Sequence, residues 1–206
     1  MALQNGDKAK DESTPVRAVV AAMTKDWTLF MLRIACFLAM VSATIVMALN
    51  KETKTLVVAT IGSNPVTATL AAKFQYDPAF VFFIVANGLA SLHNLLVIAL
   101  DLFKHKFNDK GLCLVIIPIF DMLLVALAAA GDGAATFMAE LGKNGNSHAR
   151  WNKICDKFGA YCQRGGVALI ASFIGLVLLI VITVLSILKL HAKPKLTTTH
   201  ASSLIP

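Results

Sequence analysis

Residues 166–188 read GVALIASFIGLVLLIVITVLSIL, and this stretch decides the fold. It contains 23 residues and no charged side chain. As an α-helix it would be ~34 Å long at ~1.5 Å per residue, which matches the ~30 Å hydrocarbon core of a bilayer. The stretch therefore predicts a helix that crosses a membrane.

Three further apolar stretches of similar length precede it in a chain of 206 residues. The chain is 57% hydrophobic and 15% charged, whereas a soluble domain usually carries about 25% charged residues. The apolar residues are gathered in blocks between polar segments, a pattern that a bilayer imposes and a soluble core does not. The sequence predicts an all-α integral membrane four-helix bundle. The predicted transmembrane helices are residues 29–49, 79–100, 112–130 and 166–188, within one membrane domain (29–188) flanked by tails at residues 1–28 and 189–206.

The segments between the predicted spans differ in length and composition. Residues 50–77 form a Thr-rich polar loop with room for a short strand or turn and little more. Residues 101–110 are short and charged, so the second and third helices should be antiparallel neighbours. Residues 131–164 are expected to form a longer loop, rich in Gly, Lys and Asn. The glycines assigned to that loop are Gly131, Gly133, Gly142 and Gly145.

Charge and cysteine placement both bear on orientation. With the N-terminus in the cytoplasm, the cytoplasmic segments hold ten Lys and Arg residues and the two opposite loops hold eight, in the direction of the positive-inside rule. Cys155 and Cys162 lie in the second long loop with six residues between them. An oxidising extracytoplasmic side predicts a Cys155–Cys162 disulfide, and the alternative is two free cytosolic thiols. We expect both termini in the cytoplasm.

Two ionisable side chains lie inside the predicted spans. Arg33 is about one turn into the first helix, and Asp121 is near the middle of the third. A central Asp costs roughly 2.5–3.5 kcal/mol to insert, so its carboxylate must face protein, water or a partner. We predict an intramembrane ion pair between Arg33 and Asp121. The alternative is that Arg33 extends its side chain to the inner headgroups.

The second helix carries a predicted polar face formed by Asn87, Ser91 and Asn94. Their spacing of four and three places them on one side of the helix, where they can bond to other helices. His93 is offset from this face and is interpreted as a packed polar residue, because no second His or Cys lies at metal-ligand spacing. Alanines recur at intervals of four in the first three spans, which allows close helix packing within or between chains.

The sequence contains no pattern typical of an enzyme. H-E-x-x-H, G-x-S-x-G and P-loop sequences are absent, so we expect no catalytic residue, metal, cofactor or small-molecule substrate. The net charge of +7 does not indicate a nucleic-acid partner. Lys and Arg are spread over tails and loops beside apolar spans, where lipid headgroups are their natural partners.

Four stretches carry a resemblance to a known family. They are LRI (32–34), PAFVFFIVAN (78–87), FDM (120–122) and GNSHARWNKICDKFGAYC (145–162). On these stretches the chain resembles the Casparian strip membrane protein (CASP) family of plants, in its CASP-like branch, which is related to the MARVEL four-helix membrane proteins. The similarity extends over residues 29–188.

The resemblance implies roles for four residues. The family has an Arg in the first helix and an Asp in the third, which match Arg33 and Asp121. Two cysteines in its second extracellular loop match Cys155 and Cys162. Residues 51–73 lack the first-loop signature of the true Casparian strip members, so we expect the generic CASP-like function and not a role in the endodermal barrier.

The resemblance also implies partners and a place in the cell. We expect a multi-pass plasma-membrane protein that forms homodimers or higher homo-oligomers, and hetero-oligomers with related CASP-like proteins. The predicted function is a non-enzymatic scaffold that organises a membrane domain and recruits cell-wall-modifying proteins. The alternative is a small transporter or channel in which the Arg33/Asp121 pair and the second-helix polar face line a path. Cys113 lies near the inner end of the third span, where cysteines can be palmitoylated, and a single cysteine does not decide whether it is lipidated.

Overall fold

The computed structural model of the protein describes residues 26–103 and 110–192. The predicted tails lie largely outside the described residues, as do the Cys113 side chain and residues 104–109. The elements in chain order are helix α1 (Asp26–Ala48), strands β1 (Lys51–Ile61) and β2 (Asn64–Lys73), a 3-10 turn (Phe74–Tyr76), and helices α2 (Pro78–Phe103), α3 (Lys110–Asn144) and α4 (Gly159–Ala192).

All four helices are long and apolar enough to cross a bilayer, which confirms the predicted helical membrane fold. They pack in a closed ring: α1 contacts α2 and α4, and α3 contacts the same two helices. The core between them has one layer around Cys36, Met40 and Leu179 and a second around Met47 and Phe83. Large apolar side chains also cover the outer surface of the helices, as expected where the solvent is lipid.

The third helix continues well past its predicted end at Ala130. The predicted loop beginning at Gly131 is wrong, because α3 runs unbroken to Asn144. Its last turns contain the strong helix formers Ala, Glu, Leu and Met. Gly, Asp132 and Lys143 are interspersed among them, so the segment is too polar to be recognised as part of a span. With 35 residues, α3 is ~53 Å long and projects beyond the ~30 Å apolar core of a bilayer. Gly131, Gly133 and Gly142 are therefore helical residues.

The loop after α1 contains more structure than the sequence predicted. Instead of a short strand or turn, β1 and β2 form an antiparallel hairpin over nearly the whole segment. The strands are joined by a two-residue turn at Gly62-Ser63, and Gly62 supplies the positive φ of +65° that such a turn requires. A bulge between Val57 and Ala59 leaves Val58 without a partner in the opposite strand.

A disulfide closes the connection between α3 and α4. Cys155 and Cys162, the predicted pair, are bonded with their Cα atoms 5.6 Å apart. Before them, residues 145–151 form a tight turn in which Asn146 pairs with Trp151. The backbone N–H groups of Ile154 and Cys155 both donate to the carbonyl of Gly142 at the end of α3. These hydrogen bonds hold the loop to the end of α3, and the disulfide holds it to the first turn of α4.

Two glycines of α3 allow a matched test of how tightly the helices pack. A Cβ at Gly131 would lie 3.0 Å from Ala86 Cβ and 3.4 Å from Phe83 Cα, whereas one at Gly133 would meet nothing within 4 Å. Gly131→Leu should lower the free energy of unfolding by ~1–3 kcal/mol through overpacking against α2. Gly133→Leu should raise it slightly, because Gly in a helix interior costs ~0.5–1 kcal/mol. Thermal unfolding of purified protein in detergent measures both, and equal effects at the two positions would contradict this packing.

Candidate functional site

The charged residues predicted to pair inside the membrane are in direct contact. Arg33 Nη2 donates to Asp121 Oδ2 at 2.7 Å, and Nη1 donates to Oδ1 at 3.2 Å. The two side chains are 5% and 0% exposed. A bidentate guanidinium–carboxylate contact is among the strongest ion pairs in proteins. It also joins α1 to α3, which do not adjoin each other in the ring of helices.

Two neighbouring residues of α2 complete this cluster. Asn94 Oδ1 accepts from Arg33 Nη1 at 3.3 Å, and Asn94 Nδ2 donates to the Ala90 carbonyl at 2.9 Å. His93 Nε2 lies 2.9 Å from Asp121 Oδ1, and because a carboxylate only accepts, the imidazole nitrogen is the donor. His93 is therefore a hydrogen-bond partner of Asp121 and not merely a packed residue. We call Arg33, His93, Asn94 and Asp121 the inner cluster.

The predicted polar face of α2 serves two different clusters. Asn94 belongs to the inner cluster. Ser91 donates within its own helix to the carbonyl of Gly88 at 2.9 Å. Asn87 lies farther toward the start of α2 and bonds to a different set of residues. All three side chains are buried, so the face points into the bundle.

A second buried polar group, which we call the outer cluster, is formed by Asn87, Asp132 and Ser172. Ser172 Oγ lies 2.7 Å from Asn87 Oδ1 and 2.6 Å from Asp132 Oδ1. Asp132 was not predicted as a site residue, because its position was assigned to a loop. If the predicted helix had been extended through its Ala-rich end, Asp132 would have been placed about three turns after Asp121, ~17 Å farther along the helix axis.

Polar contacts also fasten the hairpin to the beginning of α4. Glu52 Oε2 accepts from the Tyr161 backbone N–H at 2.7 Å, and Glu52 Oε1 lies 2.9 Å from Lys54 Nζ. Lys54 Nζ in turn donates to the Lys157 carbonyl at 2.9 Å. Asn50, buried just before β1, donates from Nδ2 to the Tyr161 carbonyl at 2.9 Å. The hydrogen bond from Lys54 and that from the Tyr161 N–H hold the pKa of Glu52 below its ordinary value of 4.5.

A groove of about 1180 Å³ opens at the same end of the bundle. Its walls come from the base of the hairpin, the projecting end of α3 and the disulfide loop, with Tyr76 and Trp151 among the lining residues. Arg150, also in the lining, adopts a left-handed φ of 55° in the tight turn. Within the part of the chain that the structure describes, no three His, Cys, Asp or Glu side chains are grouped as metal ligands would be.

Comparison with known proteins agrees with this architecture. The Casparian strip membrane protein domain matches residues 22–178. The chain is 60% identical over 195 residues to CASP-like protein 1B2 of Populus trichocarpa, covering 95% of this chain and 96% of that one. It is 59% identical over 190 residues to CASP-like protein 1B1 of Glycine max, with 92% and 97% covered. It is 52% identical over 186 residues to CASP-like protein 1B2 of Arabidopsis thaliana, with 90% and 94% covered. No solved structure matches the chain.

The Glu52 contacts predict that hairpin docking depends on pH. The pKa of Glu52 is lowered in the folded protein, so its stabilising contribution is present above the ordinary pKa and is lost as the pH falls through the lower, folded value. Hairpin amides should exchange with deuterium more slowly in the wild type than in Glu52→Gln above about pH 5. The difference should vanish in more acidic buffer. Comparing the two proteins at each pH cancels the intrinsic pH dependence of exchange.

Glu140→Gln is the matched control for this experiment, since Glu140 is an exposed acid on α3 whose side chain bonds to Asn144. It should leave hairpin exchange unchanged at every pH. A wild-type hairpin that exchanges like Glu52→Gln at neutral pH would contradict the proposed anchoring.

Proposed function

Because the chain belongs to the CASP-like branch of the Casparian strip membrane protein family, we propose that it is a non-enzymatic scaffold of the plant plasma membrane. In this function, copies of the chain associate with one another and with related CASP-like proteins. The assembly marks out a membrane domain and recruits cell-wall-modifying proteins to it.

The exposed hairpin is the observation that carries this proposal. Most of its residues are exposed, and Val57, Val58 and Ile61 are 60%, 54% and 73% accessible. A sheet of two strands leaves both edges unpaired, and such edges readily add a strand from another chain. Clustered apolar side chains on a water-facing surface are typical of association sites. The hairpin therefore supports association between neighbours in the plane of the membrane.

The interior polar groups favour a scaffold over a transporter. Arg33 and Asp121 are satisfied by each other and by α2, and both are almost completely buried. Neither residue lines the groove at the hairpin end. An ion path needs polar side chains that face water, whereas these contacts serve to hold helices together.

The positions of the disulfide and the hairpin support the proposed orientation. Both are at the same end of the bundle, because Lys54 of the hairpin reaches the carbonyl of Lys157 in the disulfide loop. Disulfides persist on the oxidising side of a membrane. We therefore place this end, with its groove, outside the cell and both chain termini in the cytoplasm. The hairpin and groove would then face the cell wall, where the recruited proteins act.

Replacing the apolar hairpin side chains tests the proposal. Val57→Thr, Val58→Thr and Ile61→Thr together keep β-branched residues, so the hairpin should still form. We expect the variant to shift the monomer–oligomer equilibrium toward monomer by about tenfold or more, equivalent to ~1.4 kcal/mol. Photobleaching steps counted from single fluorescent particles in lipid bilayers measure the number of copies.

The matched control is Val167→Thr, Val177→Thr and Val184→Thr, three similar changes on the exposed face of α4. This variant should assemble like the wild type. Loss of assembly in the control and not in the hairpin variant would move the contact to α4. A wild-type protein that bleaches in one step at every density would overturn the scaffold function.

A further inference from the structure

The hydroxyl of Ser172 has more close oxygen neighbours than its own proton can serve. Its Oγ lies 2.7 Å from Asn87 Oδ1 and 2.6 Å from Asp132 Oδ1, and both distances are those of true O–H···O hydrogen bonds. Each such contact requires one hydrogen between the two oxygens. A serine hydroxyl carries a single proton, so one of the two contacts needs a proton from its other partner.

The Asn87 side chain cannot provide that proton. Its Nδ2 donates to the Phe83 carbonyl at 3.1 Å, which fixes the amide with Oδ1 toward Ser172. In the reversed orientation, Asn87 Oδ1 and the Phe83 carbonyl oxygen would face each other at hydrogen-bond distance with no hydrogen between them. That arrangement would set two oxygens against each other and leave the buried Asn87 Oδ1 without a donor. Asn87 Oδ1 is therefore an acceptor, and Ser172 donates to it.

The remaining contact needs a donor on Asp132. Asp132 is completely buried, and its second oxygen, Oδ2, has no hydrogen-bond partner among the described residues. An ionised carboxylate in that position would be a desolvated charge with an unpaired oxygen, which is far more costly than an unpaired neutral carbonyl. Within the described residues no Lys, Arg or His forms a salt bridge with it, since Arg33 and His93 both bond to Asp121.

We propose that Asp132 is a proton-binding site, in which the carboxyl group is held as a neutral acid in the interior of the bundle. The acid donates from Oδ1 to Ser172, Ser172 donates to Asn87, and Asn87 donates to the Phe83 carbonyl. The proton thus completes a directed chain of hydrogen bonds from α3 through α4 to α2. This chain crosses the bundle between α2 and α4, which face each other across the ring. With Asp132 neutral, Asp121 is the carboxylate that balances the charge of Arg33.

Infrared spectroscopy of the full-length protein in lipid nanodiscs at pH 7 tests this directly. Exposed carboxyl groups are ionised at this pH, since their pKa values lie near ~4. A protonated carboxyl group gives a carbonyl stretch above the amide I band. Lipid ester carbonyls absorb in the same region, so the band in question is the one that shifts to lower frequency when aspartate carboxyl carbons carry ¹³C. We expect this band in the wild type. It should be absent from Asp132→Asn and kept in Asp156→Asn, which removes an exposed aspartate.

Ser172→Ala provides an independent reading if Asp132→Asn fails to fold. It leaves the acid in place but removes the acceptor of its proton, so the band should remain and change frequency. A wild-type spectrum without the band would overturn the proposal. So would a band that survives Asp132→Asn, or one that Ser172→Ala leaves unmoved.

Discussion

The contact between Arg33 and Asp121 constrains the whole bundle. A carboxylate in the middle of a membrane-spanning helix needs a neutralising partner, because leaving it against lipid costs several kcal/mol. Its partner is on α1, and α2 contributes His93 and Asn94 to the same cluster. Three helices must therefore keep a fixed rotation and height relative to one another. The fourth is fixed to α2 and α3 by Ser172, nearer the hairpin end.

The two ends of the helices serve different purposes. Within the membrane the inner and outer clusters link the helices through hydrogen bonds, and the outer surface is apolar and suited to lipid. Beyond it, Glu52, Lys54 and Asn50 fasten the hairpin to the first turn of α4 and to the disulfide loop. The disulfide loop in turn bonds to the end of α3. A rigid interior that presents an exposed sheet edge is a physical basis for holding neighbouring chains in register. This division of roles is consistent with the proposed scaffold function.

Physical rules explain which features could be predicted from the sequence. The spans follow from hydropathy, and the Arg33–Asp121 contact from the rule that membrane charges need partners. Hydropathy carries no information beyond the apolar core, so the lengths of α3 and of the hairpin were underestimated. Asp132, which lies in the extended part of α3, was therefore not recognised as a site residue. The alternation of Thr with apolar residues along β2, over residues 66–70, was the available signal for a strand. His93 was misjudged because a side chain on the flank of a helix face can still reach an adjacent helix.

The most direct test of a bundle organised by this ion pair is a double-mutant cycle on it. Free energies of unfolding would be measured for the wild type, Arg33→Met, Asp121→Leu and the double variant in the same detergent. Each single change leaves a buried charge without its partner and should cost ~3–5 kcal/mol, whereas the double variant leaves neither charge and should cost less than either single change. Single-variant costs that simply add in the double variant would mean that Arg33 and Asp121 do not stabilise the fold as a pair.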